Sequence, residues 1–283
     1  MLSYRHAFNV GNHADVLKHF LLVETLRYYS RKDKPWWYID THAGAGCYVL
    51  SEELAEKTGE FRNGIGRLWE REDVPEALQP YLHAVRQFNP HHGLSFYPGS
   101  PAIAMTLARA EDRLRLFELH PTDFEFLEQT FSRDAHQVVL RHADGLANLR
   151  GQLPPPTRRA VVLIDPPYAA KQEYRDVVRV LADAQRRFPS GTYLVGYPLI
   201  AKPEARALPE RLRKELEPES WLDVRLVVRE PGRRETVGAF GSGLFIINPP
   251  WGLSDMLEEV MPWLTQALGE DDAAGFDVEH HIP

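Results

Sequence analysis

One cysteine, Cys47, stands in 283 residues. A lone thiol excludes an internal disulfide framework and a multi-cysteine zinc site, and it agrees with a reducing compartment. Nothing near Cys47 marks it for activation, so it reads as a small packed residue rather than a nucleophile. Long apolar runs are also missing: none reaches the roughly 18 residues of a membrane-spanning helix. The opening Met1–His6 leads into polar sequence instead of the apolar core of a signal peptide. The expectation is a cytoplasmic, enzyme-sized globular protein without a membrane partner. Basic residues are absent from one end. Glu235–Pro283 holds nine acidic residues and no Lys or Arg, whereas the first 234 residues carry 33 basic against 31 acidic side chains. The net charge of −7 therefore hides a body of net charge +2. Local potential, not total charge, attracts phosphates. Such a body can hold RNA with the acidic end facing away, and the acidic end can equally be a solubilising surface.

Apolar, β-branched or aromatic runs recur at Trp36–Asp40, Leu114–Glu118, Val138–Arg141, Ala160–Ile164, Thr192–Tyr197, Val224–Val228 and Leu244–Ile247. They predict seven strands. Helical spacing between them, as in Tyr174–Phe188 and Asp255–Leu268, gives the alternation of an open, mostly parallel α/β sheet with helices on both faces. About seventy residues separate the first two strands, roughly twice what a simple βαβ unit needs. The stretch 51–93 reads as a small helical insertion into a domain made of 1–50 and 94–283. The last dozen residues are expected to fray.

Ligands in such sheets bind at the carboxyl ends of strands, so the residues that follow each strand carry the chemistry. After the fourth strand comes Asp165-Pro166-Pro167-Tyr168. An exocyclic purine amine is a poor nucleophile because its lone pair is delocalised into the ring. A carboxylate and a backbone carbonyl that accept its two N–H bonds would hold the nitrogen with its lone pair exposed to an electrophile. Asp165 and the Pro166 carbonyl suit that task, and Tyr168 suits stacking on a base taken out of its helix. The prolines lack N–H groups, so the turn offers acceptors only. The same letters also make a rigid strand-ending turn, and Asn248-Pro249-Pro250-Trp251 repeats the form after the last strand. Position near the reversal of strand order favours Asp165 as the catalytic copy.

After the first strand, Asp40-Thr41-His42-Ala43-Gly44-Ala45-Gly46 supplies two glycines for a tight turn close to a ligand. The third glycine of a dinucleotide fingerprint is missing; Val49 stands there, which disfavours a nicotinamide oxidoreductase. Glu118 after the second strand can accept two ribose hydroxyls, and Asp144-Gly145 after the third can meet an adenine edge. Each also serves as an ordinary loop or capping acid. At the amino terminus, Tyr4-Arg5-His6 and Gly11–His19 gather donors: Lys18 and His19 toward cofactor or substrate, Arg5 and His6 toward phosphate. Histidine spacings of seven and six do not form a helical ligand pair, so no metal is expected. Arg158-Arg159, Arg186-Arg187 and Arg233-Arg234 could extend a phosphate track.

Taken together, Tyr4–His6, Gly11–His19, Asp40–Gly46, Tyr97–Pro101, Glu118–Pro121, Ala143–Gly145 and Asp165–Tyr168 closely resemble the bacterial 23S ribosomal RNA adenine-N6 methyltransferases of the RlmJ family. The resemblance spans nearly the whole chain. It implies a Rossmann-like class I methyltransferase domain with a small helical insertion, the cofactor S-adenosylmethionine, and one adenosine of 23S ribosomal RNA as substrate, protein-free or in an early assembly intermediate. Carried over by residue, His19, His42, Ser100, Glu118, Asp144, Gly145 and Asp165 would contact the cofactor, with Gly44 and Gly46 shaping its loop. Asp165 would also serve catalysis and Tyr4 would contact the target nucleotide. Two rivals stay open: a DNA adenine-N6 methyltransferase sharing the same loop, and a non-catalytic RNA-binding ribosome-assembly factor on an old methyltransferase fold.

Overall fold

The computed structural model describes residues 6–51, 53–232 and 239–283. Tyr4, Arg5, Arg233 and Arg234 lie outside the described residues. The chain opens with α1 (His13–Ser30) and then builds β1 (Trp37–Asp40), β2 (Cys47–Val49), α2 (Glu53–Thr58), α3 (Ile65–Trp69), α4 (Gln79–Arg86), β3 (Phe96–Pro98) and α5 (Ser100–Leu107). The second part runs β4 (Arg113–Glu118), α6 (Pro121–Thr130), β5 (Val138–His142), α7 (Gly145–Gln152), β6 (Ala160–Ile164), α8 (Lys171–Arg187) and β7 (Thr192–Leu199). It closes with α9 (Pro203–Leu216), β8 (Trp221–Val227), β9 (Gly241–Ile247), α10 (Leu253–Leu268) and β10 (Gly275–His281).

The main sheet has the order β10-β8-β9-β7-β6-β1-β4-β5. Strands β7, β6, β1, β4 and β5 are mutually parallel, while β9 is antiparallel to both β7 and β8, and β10 to β8. From β1 the chain steps outward to β4 and β5, then returns to place β6 on the other side of β1. The loops after β1 and β6 therefore flank the point where strand order reverses, the place an open α/β sheet offers to ligands.

Strand alternation divides the core. Tyr38, Val161 and Leu163 face α1, α4, α5, α6 and α10, whereas Ile39, Val162 and Ile164 face α7, α8 and α9. Helix α1 is buried nearly all round, with Leu17, Phe20, Leu21 and Val23 fully enclosed. A helix of that kind belongs inside rather than at the surface. Asn12 caps it, its side-chain oxygen accepting from the N–H groups of Ala14 at 3.0 Å and Asp15 at 3.1 Å. The stretch 51–93, expected as an insertion, packs Phe61, Ile65, Leu68 and Tyr81 into the same core cluster as α1.

The sheet has eight strands, not the seven expected. The additional one, β10, lies where fraying was expected and runs antiparallel along the whole of β8. Its sequence, Gly-Phe-Asp-Val-Glu-His-His, has little apolar character because it is an edge strand with mostly exposed side chains. Charge fixes it instead: Glu279 pairs with Arg213 and Arg225, and Asp277 with Arg225 at 2.9 Å. Part of the acidic end is thus neutralised within the fold. A second, two-stranded sheet of β2 and β3 also went unread in the sequence.

Beneath β10, Asp223 is fully buried and accepts a hydrogen bond from the Tyr197 hydroxyl at 2.6 Å. Burial pushes its pKa up to about 6, against the opposing pull of Tyr197 and Arg225. A carboxyl raised above its unfolded value near 4 stabilises the fold least when ionised, so its contribution declines as pH rises from about 4 through about 6. Asp223→Asn is expected to raise stability at pH 8 by up to about 3 kcal/mol and to change little at pH 4. Urea denaturation at the two pH values checks this; an equal shift at both contradicts it.

Candidate active site

The loop after β1 is shaped by backbone that only glycine adopts easily. Gly44 and Gly46 have φ of +61° and +81°. At its start Asp40, fully buried, gathers three donors: the hydroxyls of Tyr38 and Ser100, each 2.6 Å from Oδ2, and the His42 N–H, 3.1 Å from Oδ1. Burial raises its pKa while Ser100, Tyr38 and His42 oppose the rise. Ser100, at the first turn of α5, thus ties that helix to the loop. Glu118 at the end of β4 does similar work: Oε2 accepts the Gly44 N–H at 2.8 Å and Oε1 the His120 N–H at 2.6 Å. Each carboxylate oxygen keeps a second lone pair for a ligand hydroxyl. Asp144 caps α7 by accepting the Ala147 N–H at 3.1 Å. Gly145, next to it, lets α7 approach the β1 loop so closely that a Cβ would stand 2.2 Å from the Thr41 carbonyl oxygen.

Helix α1 delivers the charged part of the site. The Lys18 ammonium lies 2.9 Å from Asp15 Oδ1 and 2.6 Å from Asp165 Oδ2. Burial opposes the charge on Lys18, but the two carboxylates together hold its pKa well above the ordinary lysine value. Burial likewise opposes the charge on Asp15, and His6 and Lys18 outweigh it, holding Asp15 well below the carboxylate range. His6 Nε2 is 2.8 Å from Asp15 Oδ2, so His6 reaches an acid of its own chain. His19 is neutral: burial pulls its pKa down to about 3. Its Nδ1 contacts the Tyr97 hydroxyl at 2.8 Å, while its buried Nε2 has no hydrogen-bond partner among the described residues. His42, also neutral, is lowered to about 4 by burial.

Asp165 follows β6 and remains 29% exposed at its side chain. Its Oδ2 is engaged by Lys18, and its Oδ1 faces Gly196 on β7, where a Cβ would come within 2.4 Å. Tyr168 departs from the open stacking platform expected of it. It adopts φ of +51°, which turns the side chain back toward the sheet; the ring is 3% exposed, packs on Tyr174 with centroids 4.5 Å apart, and donates its hydroxyl to the Gly196 carbonyl at 2.8 Å. The second Pro-Pro-aromatic loop is conformationally different, with Asn248 rather than the aromatic residue at positive φ. The Asn248 amide donates to the carbonyls of Pro189 and Gly191, each at 2.7 Å, and so staples two loops together.

These residues surround one cavity of about 440 Å³. Its wall includes His6, Lys18, His19, His42, Gly44, Ser100, Glu118, Asp144, Gly145, Asp165, Pro166 and Tyr168. Gly46 is not in the wall. It faces α6, where a Cβ would meet Leu127 and Thr130 at 3.1 Å, and its carbonyl accepts the Gly99 N–H. It turns the chain beside the cavity without lining it. Sequence reasoning missed Gly196, Tyr197, Ser242 and Gly243, which close the far wall from β7 and β9. Glycine inside a strand signals a close approach; Gly243 indeed lies where a Cβ would strike the Tyr197 ring. No group of three or more metal-ligating side chains gathers among the described residues.

The family model "Ribosomal RNA large subunit methyltransferase D, RlmJ" matches residues 33–281. The chain belongs to this family. Ribosomal RNA large subunit methyltransferase J of Escherichia coli is 43% identical over 274 residues, covering 95% of this chain and 94% of the relative. The protein of that name from Haemophilus influenzae is 40% identical over 288 residues and covers both chains fully. A crystal structure of a Legionella pneumophila protein superimposes with a TM-score of 0.86 at 34% identity, covering 95% of this chain and 97% of the other. For this RlmJ family member, the contact between Gly196 and Asp165 yields a direct expectation. Asp165 is pinned by Lys18, so Gly196→Ala displaces the carboxylate, and turnover falls by about 100-fold with the fold intact. Steady-state kinetics beside a thermal melt check it; undiminished kcat would contradict it.

Proposed function

We propose that the chain transfers a methyl group from S-adenosylmethionine to N6 of one adenosine in 23S ribosomal RNA. The observation that carries this reading is a carboxylate at the switch point, Asp165, held by a largely buried lysine on the same cavity as Glu118 and Asp144. The names of the relatives give the substrate class, and the cavity falls in the size range of small-molecule sites.

The residues fit the cofactor. His19 Nε2 is a buried polar atom without a hydrogen-bond partner among the described residues and suits a carboxylate. Glu118 has lone pairs left for ribose hydroxyls, and Asp144 stands at the next strand end. When bound, the cofactor supplies an electrophilic methyl group on its sulfonium. Asp165 and the Pro166 carbonyl accept the two N–H bonds of the target amine and fix its lone pair in direction. Lys18 holds Asp165 through Oδ2, so Asp165 acts by orientation, and the amine's surplus proton leaves to water. Pro166 and Pro167 present no competing donors. A base stacked on Tyr168 requires the ring to be uncovered from its packing on Tyr174.

Competition between ribosomal RNA lacking the modification and adenine-containing DNA tests the reading. Label in RNA is expected; label in DNA would redirect it to a DNA methyltransferase, and cofactor binding without transfer to either would favour an assembly factor.

A further inference from the structure

Many arginines of this protein sit beside a carboxylate, as in Arg27–Glu24, Arg71–Asp73, Arg109–Asp112 and Arg211–Glu215. Among those that do not, three lie together on one sheet face. Arg113 and Arg115 are two residues apart on β4 and so point to the same sheet face. Arg115 stands opposite Val139 on β5, and the next pair on that face is Phe117 with Arg141, which makes Arg141 the diagonal neighbour of Arg115. Across the other side, β1 sets Trp37 opposite Arg113, and the Arg115 guanidinium lies over the Trp37 ring at 4.0 Å. None of the three arginines has an ion pair among the described residues. Their hydrogen bonds go to carbonyl oxygens of Ala110, Asp112, Leu114 and Leu140.

We propose that Arg113, Arg115 and Arg141 form a phosphate-binding row that holds the RNA backbone outside the target nucleotide. The proposal rests on the ribosomal RNA reading above. Three clustered cations without an acid repel one another and destabilise the isolated protein, so the arrangement calls for an anion from elsewhere. Burial, Arg113 and Arg141 all disfavour the charge on Arg115, and no carboxylate offsets them. Protection of a sheet edge against pairing with other chains accounts for Arg141, which lies on the edge strand. It does not account for Arg115, which lies on the inner strand β4 and is half-buried. Stacking on Trp37 holds the guanidinium plane still, leaving a preformed fork of donors for phosphate oxygens. The row also leads to the active site: Arg141 is three residues before Asp144, which lines the cavity.

The test uses the full chain with Arg113, Arg115 and Arg141 all changed to Gln, and a second variant with all three changed to Lys. Anisotropy of a labelled, protein-free 23S ribosomal RNA fragment is followed across salt concentrations, together with methylation kinetics and cofactor affinity. Loss of three phosphate contacts is expected to flatten the slope of log affinity against log salt by about 2. KM for RNA rises about tenfold or more, with cofactor affinity unchanged. The Lys variant, which keeps the charge, recovers most of the slope. Unchanged slope and KM in the Gln variant, with wild type binding RNA normally, would overturn the row alone, as would a Lys variant as impaired as the Gln variant. Wild-type protein that binds no RNA overturns the row and the RNA reading together.

Discussion

Asp165→Ala is expected to lower kcat for methyl transfer by about 100-fold or more while cofactor affinity changes by less than about tenfold. The asymmetry follows from the geometry. In the proposed reading Asp165, held by Lys18, orients the reacting amine, whereas His19, Glu118 and the β1 loop hold the cofactor. Removing Asp165 leaves Lys18 with Asp15, still an ion pair at 2.9 Å, so the fold should survive and the loss should be one of turnover. Kinetics with saturating cofactor, alongside isothermal titration, separate the two effects. Equal losses in both would mean that Asp165 serves cofactor binding rather than amine orientation.

Gly145→Ala is expected to have the next largest effect, by a different route. The new Cβ would lie 2.2 Å from the Thr41 carbonyl oxygen and 2.5 Å from the Thr41 Cα, both backbone atoms that cannot swing aside. Either α7 or the β1 loop must move, which costs about 1–3 kcal/mol of stability. The move separates Asp144 from His42 and weakens cofactor binding by about 100-fold. Gly151 provides the control: it lies on the same helix with nothing within 4 Å of a Cβ, so Gly151→Ala should stabilise by about 0.5–1 kcal/mol and leave binding alone. Calorimetric titration of the cofactor into both variants decides; equal affinities would show that the close approach has no part in the site.

The contrast between these residues shows what a sequence discloses. The parallel strands were legible because both faces are covered and their runs are continuously apolar, as in Val161–Ile164. The residues at their carboxyl ends could then be placed by order alone, which brought Asp165, Glu118 and Asp144 to one cavity. Strand β10 was not legible, since charge pairs with Arg213 and Arg225 hold it in place of apolar burial. Contacts between distant segments were equally hidden. Nothing local announces that Lys18 meets Asp165 across 147 positions or that Ser100 binds Asp40. The packing of Tyr168 on Tyr174, with its backbone at positive φ, was not legible either, since the letters Asp-Pro-Pro-Tyr do not fix that conformation.

Methylation of the exocyclic amine of an adenine in ribosomal RNA, the activity proposed for this site, is tested by transfer of tritium from labelled S-adenosylmethionine to protein-free 23S ribosomal RNA lacking the modification, followed by nucleoside analysis. Label is expected in N6-methyladenosine and in no other nucleoside. Label on a ring nitrogen, on a ribose hydroxyl or on another base would contradict it.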